Sequence, residues 1–306
     1  MRKGKKPLGR KNRIRKERKK EERIAVIITV TILIVLIFIS GFLINSMLNQ
    51  PSASQTVSST SEPKAAIVDQ LSLTYPNQTF IEIATNTLEQ AGYRVDYYPG
   101  ENVTIEFYRN LPTYNYGLII LRVHSGFIMG GGTSTFIFSS ELYNTQKYVY
   151  EQLTDQIALT RLQGGGPTYF GINENFVKSS MKGTFNKAII IMMGCNGLQY
   201  ISMAKVFMEK RAKVYLGYSE PVTASYTDEA TTHLLQHFLI EKRTLKESVQ
   251  ETFKEVGADP VYNSLLLYYP SEAGDYTTQE VVDILITSSA EIQYNMLSEK
   301  RKFNNL

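Results

Sequence analysis

One stretch constrains this chain before anything else. Residues 24–44 (IAVIITVTILIVLIFISGFLI) run for 21 positions without a charged side chain. At 1.5 Å per residue, a helix of that length spans the roughly 30 Å hydrocarbon core of a bilayer. A buried helix of a soluble domain rarely runs so far without a polar face. A secretory signal has a shorter apolar region followed by a small-residue cleavage site. The nearest match here, Ser52-Ala53-Ser54, comes several residues too late. The segment therefore reads as an uncleaved transmembrane helix.

Its flanks orient it. Residues 1–23 hold 13 Lys/Arg against 3 Asp/Glu, and after the apolar segment no basic residue appears until Lys64. The positive-inside rule then places the basic tail in the cytoplasm and residues 45–306 outside the cell membrane. The tail also accounts for the chain's net charge of +4, because 24–306 carry 20 basic and 26 acidic residues. Nothing in that balance marks a nucleic-acid binder, whereas attraction to anionic lipid suits the tail. Residues 45–63 are Ser/Thr-rich, lack a hydrophobic period and read as a flexible stalk. Asn77 and Asn102 each begin a glycosylation triplet. A single cysteine excludes an intrachain disulfide framework and every multi-cysteine metal site.

From Lys64 onward, short apolar runs alternate with helical patterns. Strands are expected at 65–68, 93–97, 117–123, 188–193, 213–217 and 265–269. Helices are expected at 80–90, 198–211, 226–241, 244–256 and 279–300. GLIILRV, but for its single arginine, and AIIIMM read as continuous apolar runs, the mark of strands covered on both faces. Between them, 136–138 suggests a strand and 142–159 a helix. This order predicts one α/β domain over 64–306, with a mainly parallel central sheet flanked by helices.

In such a sheet the chemistry gathers at the carboxyl ends of the strands. GLIILRV ends in His124-Ser125-Gly126, and AIIIMM ends in Gly194-Cys195-Asn196-Gly197. One of three histidines and the only cysteine thus occupy the same end of two central strands. If those strands are neighbours, the imidazole can assist the thiol, which is a poor nucleophile until deprotonated. A helix N-terminus directly behind Cys195 would add its partial charge. The backbone N–H groups of Gly126 and Cys195 are candidate oxyanion donors.

Strand-His-x-Gly followed by strand-Gly-Cys-x-Gly resembles the caspase-like cysteine peptidase group, which includes caspases, legumains, clostripain, gingipains and separase. The resemblance rests on 118–126 and 189–198, and the strand–helix order from 65 to about 256 agrees with it. Here Ser125 stands between the histidine and its glycine, and 71 residues separate His124 from Cys195, against roughly 50 in caspases. The resemblance implies a caspase-like sandwich that hydrolyses peptide bonds of a peptide or protein substrate. His124 would be the general base or acid, Cys195 the nucleophile and Gly126 an oxyanion contributor. Glu220, after KVYLGYS, would line the pocket for the residue before the cleaved bond and favour Lys or Arg there.

Other features carry less. Gly130–Gly132 and Gly164–Gly166 lack the lysine and placement of a P-loop and read as loops rimming the site. His233 and His237, four apart, share a helix face at a spacing that suits zinc, but no HExxH glutamate accompanies them and their neighbours are apolar. They read as helix packing, so no metal or organic cofactor is expected. Asp228 and Glu229 read as favourable charge at a helix N-terminus, and Glu141 as a candidate orienter of His124. The alternative to a peptidase is a catalytically silent surface module for binding or sensing. A flavodoxin-like ligand domain is weaker, because Asp69-Gln70-Leu71-Ser72 stands where a phosphate loop would follow the first strand.

Overall fold

Two apolar runs, Leu118 to Leu121 and Ile189 to Met192, become the centre of a six-stranded sheet. The computed structural model describes residues 62–127 and 133–278, all within the unit Thr60–Leu306. The expected tail, transmembrane helix and nearly all of the stalk lie outside the described residues, as do Gly130–Gly132 and the helix expected at 279–300. Among the described residues, no helix is long and apolar enough to cross a membrane.

The chain runs β1 (Lys64–Asp69), α1 (Gln78–Gln90), β2 (Arg94–Pro99), α2 (Ile105–Asn110), β3 (Leu118–Arg122), β4 (Ser125–Gly126), β5 (Phe136–Leu142), α3 (Val149–Leu153), β6 (Ile157–Arg161) and β7 (Thr168–Ile172). It continues through α4 (Glu174–Ser179), β8 (Ile189–Met192), α5 (Ser202–Glu209), β9 (Val214–Tyr218), α6 (Ala224–Leu235), α7 (Leu245–Val256) and β10 (Leu266–Tyr269). The main sheet has the order β10-β9-β8-β3-β1-β2. Only the β9–β10 pair is antiparallel. The fold is thus α/β with a mixed, mainly parallel sheet, and the strand order reverses direction between β1 and β3.

Alternate residues of the central strands enter opposite faces, which is why their sequences show no polar alternation. Ala65, Ile67, Leu118, Ile120, Ile189 and Ile191 pack with α1, α6 and α7. Ala66, Val68, Ile119, Leu121, Ile190 and Met192 pack with α2, α4 and α5. Side-chain caps start several helices: Asn77 accepts from Phe80 N–H at α1, Thr104 from Phe107 N–H at α2, and Thr244 with Glu247 forms a capping box at α7.

Two expectations need correction. The segment 142–159 is not one helix: it contributes the end of β5, the short α3 and the start of β6. Its apolar residues share no helical face: Leu142, Tyr150 and Leu153 are 62%, 69% and 79% exposed, while Ile157 enters the core from β6. With β7, these strands make a separate antiparallel sheet of order β4-β5-β7-β6, inserted between β3 and β8. Asp228 and Glu229 do not open their helix, because α6 starts at Ala224 and has no acidic residue in its first turn. Asp228 is buried and grips a fully buried Arg122 with both carboxylate oxygens, accepting from Nε at 2.7 Å and from the second guanidinium nitrogen at 2.8 Å.

Arg122 closes the sheet at the reversal of strand order. One of its nitrogens donates to Asp69 at 2.7 Å, the β1 residue opposite it in register, and another to the Tyr75 carbonyl at 2.8 Å. Asn77 and Tyr97 donate to the remaining carboxylate positions. Removing the cation strands two buried carboxylates, so Arg122→Leu should lower unfolding stability by about 3–5 kcal/mol. Lys178→Leu, at a solvent-exposed pair with Glu209, should change it by under ~1 kcal/mol. Denaturant unfolding of the two variants checks the contrast.

Candidate active site

The four register pairs of β3 and β8 run from Leu118 with Ile189 to Leu121 with Met192, each offset by 71 residues. The same offset, carried past the strand ends, sets His124 opposite Cys195. Contacts beyond the ladder keep the two loops together. Met193 N–H donates to the Leu121 carbonyl at 2.9 Å, and Ser125 Oγ donates to the Cys195 carbonyl at 2.5 Å. Gly194 makes this approach possible: a Cβ there would lie 2.7 Å from the Val123 carbonyl oxygen and collide with the Ser125 side chain.

The next loop joins them. Asn196 N–H donates to the Glu220 carbonyl at 3.1 Å and Leu198 N–H to that of Tyr218 at 2.9 Å. Gly197 and Gly217 meet backbone to backbone. The Cys195 thiol faces Val222, accepting from its N–H at 3.4 Å and donating to its carbonyl at 3.5 Å. Glu220 follows β9 as an exposed residue whose backbone is pinned by Ser264. Its carboxylate has no partner among the described residues.

His124 is partly exposed between Tyr75 and Phe138. Its backbone N–H donates to Gln70 Oε1 at 2.9 Å, and its Nε2 pairs with Thr74 Oγ1 at 2.9 Å. Nδ1 is left as the ring nitrogen without a partner among the described residues. Thr74, and not Glu141, holds the ring. Glu141 is engaged by Ile105 N–H, Lys147 and Tyr148.

No hydrogen bond joins His124 to Cys195. Burial, assisted by the Arg122 charge, lowers the imidazole pKa to about 4. Burial also pushes the thiol pKa up, against the Val222 N–H that favours the thiolate. Both shifts favour the neutral forms, so at neutral pH the site holds a thiol and a neutral imidazole. The helix expected directly behind Cys195 begins only at Ser202, with a turn in between, and its N-terminus offers the sulfur nothing. The turn includes Asn196 in left-handed backbone at φ 59°.

The expected oxyanion donors divide. Gly126 pairs with Phe136 in the β4–β5 ladder, and Phe138 N–H donates to the His124 carbonyl one step along. Hydrogen-bonded pairs alternate in antiparallel ladders, so the Gly126 N–H points at β5. The Cys195 N–H makes no hydrogen bond to another described residue. Gly164–Gly166, at φ 98°, 98° and 101°, form the hairpin turn between β6 and β7. The sequence reading missed Gln70, Thr74, Arg122 and Val222, whose only signal was their position after a central strand or at its end. The chain matches no family model and no curated protein.

A raised thiol pKa has a kinetic consequence. Iodoacetamide should alkylate Cys195 more slowly at pH 7–8 than it alkylates a cysteine in an unstructured peptide, and the rate should climb only on the alkaline side of the ordinary thiol value. Mass-resolved alkylation from pH 6 to 10, with the unfolded protein as reference, checks the sign.

Proposed function

We propose that this chain is a membrane-anchored cysteine peptidase-like hydrolase with a caspase-like domain outside the cell, acting through Cys195 and His124. The observation that carries the reading is the shared register offset, which brings a partly exposed thiol and a partly exposed imidazole to the same edge of neighbouring central strands. Peptide hydrolysis would proceed without metal or organic cofactor. As the thiol sulfur attacks the scissile carbonyl carbon, His124 takes its proton, and the Cys195 N–H meets the oxygen that gains the negative charge. Collapse of the tetrahedral intermediate expels the amine, which receives that proton from the imidazolium. Water activated by His124 then cleaves the thioester, freeing the acid and the thiol. Gly126, whose N–H is committed to β5, would contribute an oxyanion donor only after a local shift. Glu220, exposed beside this edge, supports a preference for Lys or Arg before the cleaved bond.

A second reading rests on a specific observation. The sulfur is engaged by Val222, the imidazole by Thr74, and the two do not touch. A catalytically silent surface module for binding or sensing would look the same.

A library of internally quenched peptides separates these readings. Cleavage by the wild type should fall at least 1,000-fold in Cys195→Ser and His124→Ala alike, because the two groups act as one unit. The His124 pKa of about 4 leaves the base neutral above that pH, so the acidic limb of kcat/KM should lie well below 6.5. Glu220→Gln should lower the rate for basic residues selectively. Full activity in either dyad variant would rule out the peptidase reading, and the absence of any cleavage would favour the silent module.

A further inference from the structure

The far end of α6 holds a second cluster of chemistry-bearing side chains. His233 lies in the last turn of α6, roughly 14 Å along its axis from Ala224 near the thiol. The chain then winds into a π-helical turn, Gln236–Ile240, which carries His237. Turns of this kind concentrate at functional sites. Glu255 reaches in from the last turn of α7.

Both imidazoles aim at one oxygen. His233 Nδ1 lies 2.5 Å and His237 Nε2 3.0 Å from Oε2 of Glu255, and the donor atoms of all three residues lie within 4.8 Å of one another. The opposite nitrogen of His237, Nδ1, lies 3.1 Å from Glu241, whose carboxylate accepts from Arg243 Nε at 2.7 Å. A carboxylate behind the ring is what orients a metal-ligating histidine, because it holds the proton on Nδ1 and turns Nε2 outward. His237 is the rigid member, with its side chain only 6% exposed, against 37% for His233 and 44% for Glu255.

We propose that His233, His237 and Glu255 bind a first-row divalent cation of the zinc type, with Glu241 as the residue that orients His237 and solvent completing the coordination. Two imidazoles and one carboxylate select such an ion over magnesium or calcium, which take all-oxygen sets. At bond lengths near 2.0–2.2 Å, tetrahedral ligand atoms stand about 3.4 Å apart. Shifts of about an ångström in the exposed His233 and Glu255 side chains reach that spacing while His237 stays in place. The bound ion would tie the π-turn to α7, away from Cys195. The neighbours Leu234, Leu235, Phe238 and Leu239 do pack into the core, and the proposed site departs from the expectation of no metal because both imidazoles also meet Glu255.

The test uses tag-free, full-length protein in detergent, stripped with a chelator and titrated with Zn2+ against a chromogenic competitor. One equivalent should bind. His233→Asn and Glu255→Gln should each weaken it at least tenfold, and Glu241→Gln by about 10- to 100-fold. Co2+ should give a visible absorption band that His233→Asn abolishes, while His124→Ala and Cys195→Ser leave it intact. Circular dichroism confirms that each variant is folded. Failure to bind one equivalent, affinity undiminished in folded His233→Asn or Glu255→Gln, or loss of the Co2+ band in Cys195→Ser would each overturn the assignment.

Discussion

A guanidinium with no exposure to solvent is the fixed point of this fold. Burying Arg122 costs several kcal/mol in lost hydration, and only well-placed hydrogen bonds offset it. Asp69 on β1, Asp228 on α6 and the Tyr75 carbonyl provide them, so one side chain binds the sheet, a helix of the covering layer and the segment that follows β1. The pair of carboxylates exceeds the charge of the cation, and the donors Asn77 and Tyr97 share that excess. Asn77 also caps α1, which places the start of a second covering helix in the same network. Tyr75 follows Thr74, which holds the imidazole of His124. The candidate site thus inherits its geometry from a buried ion cluster two residues away along β3.

The same cluster sets the electrostatics at the sheet edge. Arg122 and burial together disfavour imidazolium, and burial disfavours thiolate, so a preformed ion pair does not describe this dyad. The arrangement suits a neutral base that takes its proton during attack. Val222 stands on both the donor and the acceptor side of the thiol.

What the sequence disclosed follows from burial. β8 is apolar throughout and β3 is apolar up to Arg122, because both faces are covered, so their ends, and the His124 and Cys195 that follow, were legible. The inserted antiparallel sheet was not. β6 and β7 are short, β6 alternates buried and exposed residues, and the exposed apolar residues of 142–159 imitate a helical stripe. Arg122 drew no reading of its own, because its acidic partners stand 53 and 106 residues away. Glu255 stands 18 residues from His237 on another helix, and only the packing of α6 against α7 brings them together. Sequence order reveals what is periodic or adjacent. Pairings of isolated polar residues across elements come from the fold.

As proposed, Cys195 and His124 form a nucleophilic site shaped for peptides. The most direct measurement is the labelling rate of Cys195 by a peptidyl acyloxymethyl ketone with a basic residue next to the electrophile. The rate is compared with iodoacetamide labelling of the same intact protein by mass spectrometry. The peptidyl reagent should label the native protein far faster relative to iodoacetamide than it labels the unfolded chain, and His124→Ala should remove the difference. Equal selectivity in the native and unfolded protein would contradict the proposal.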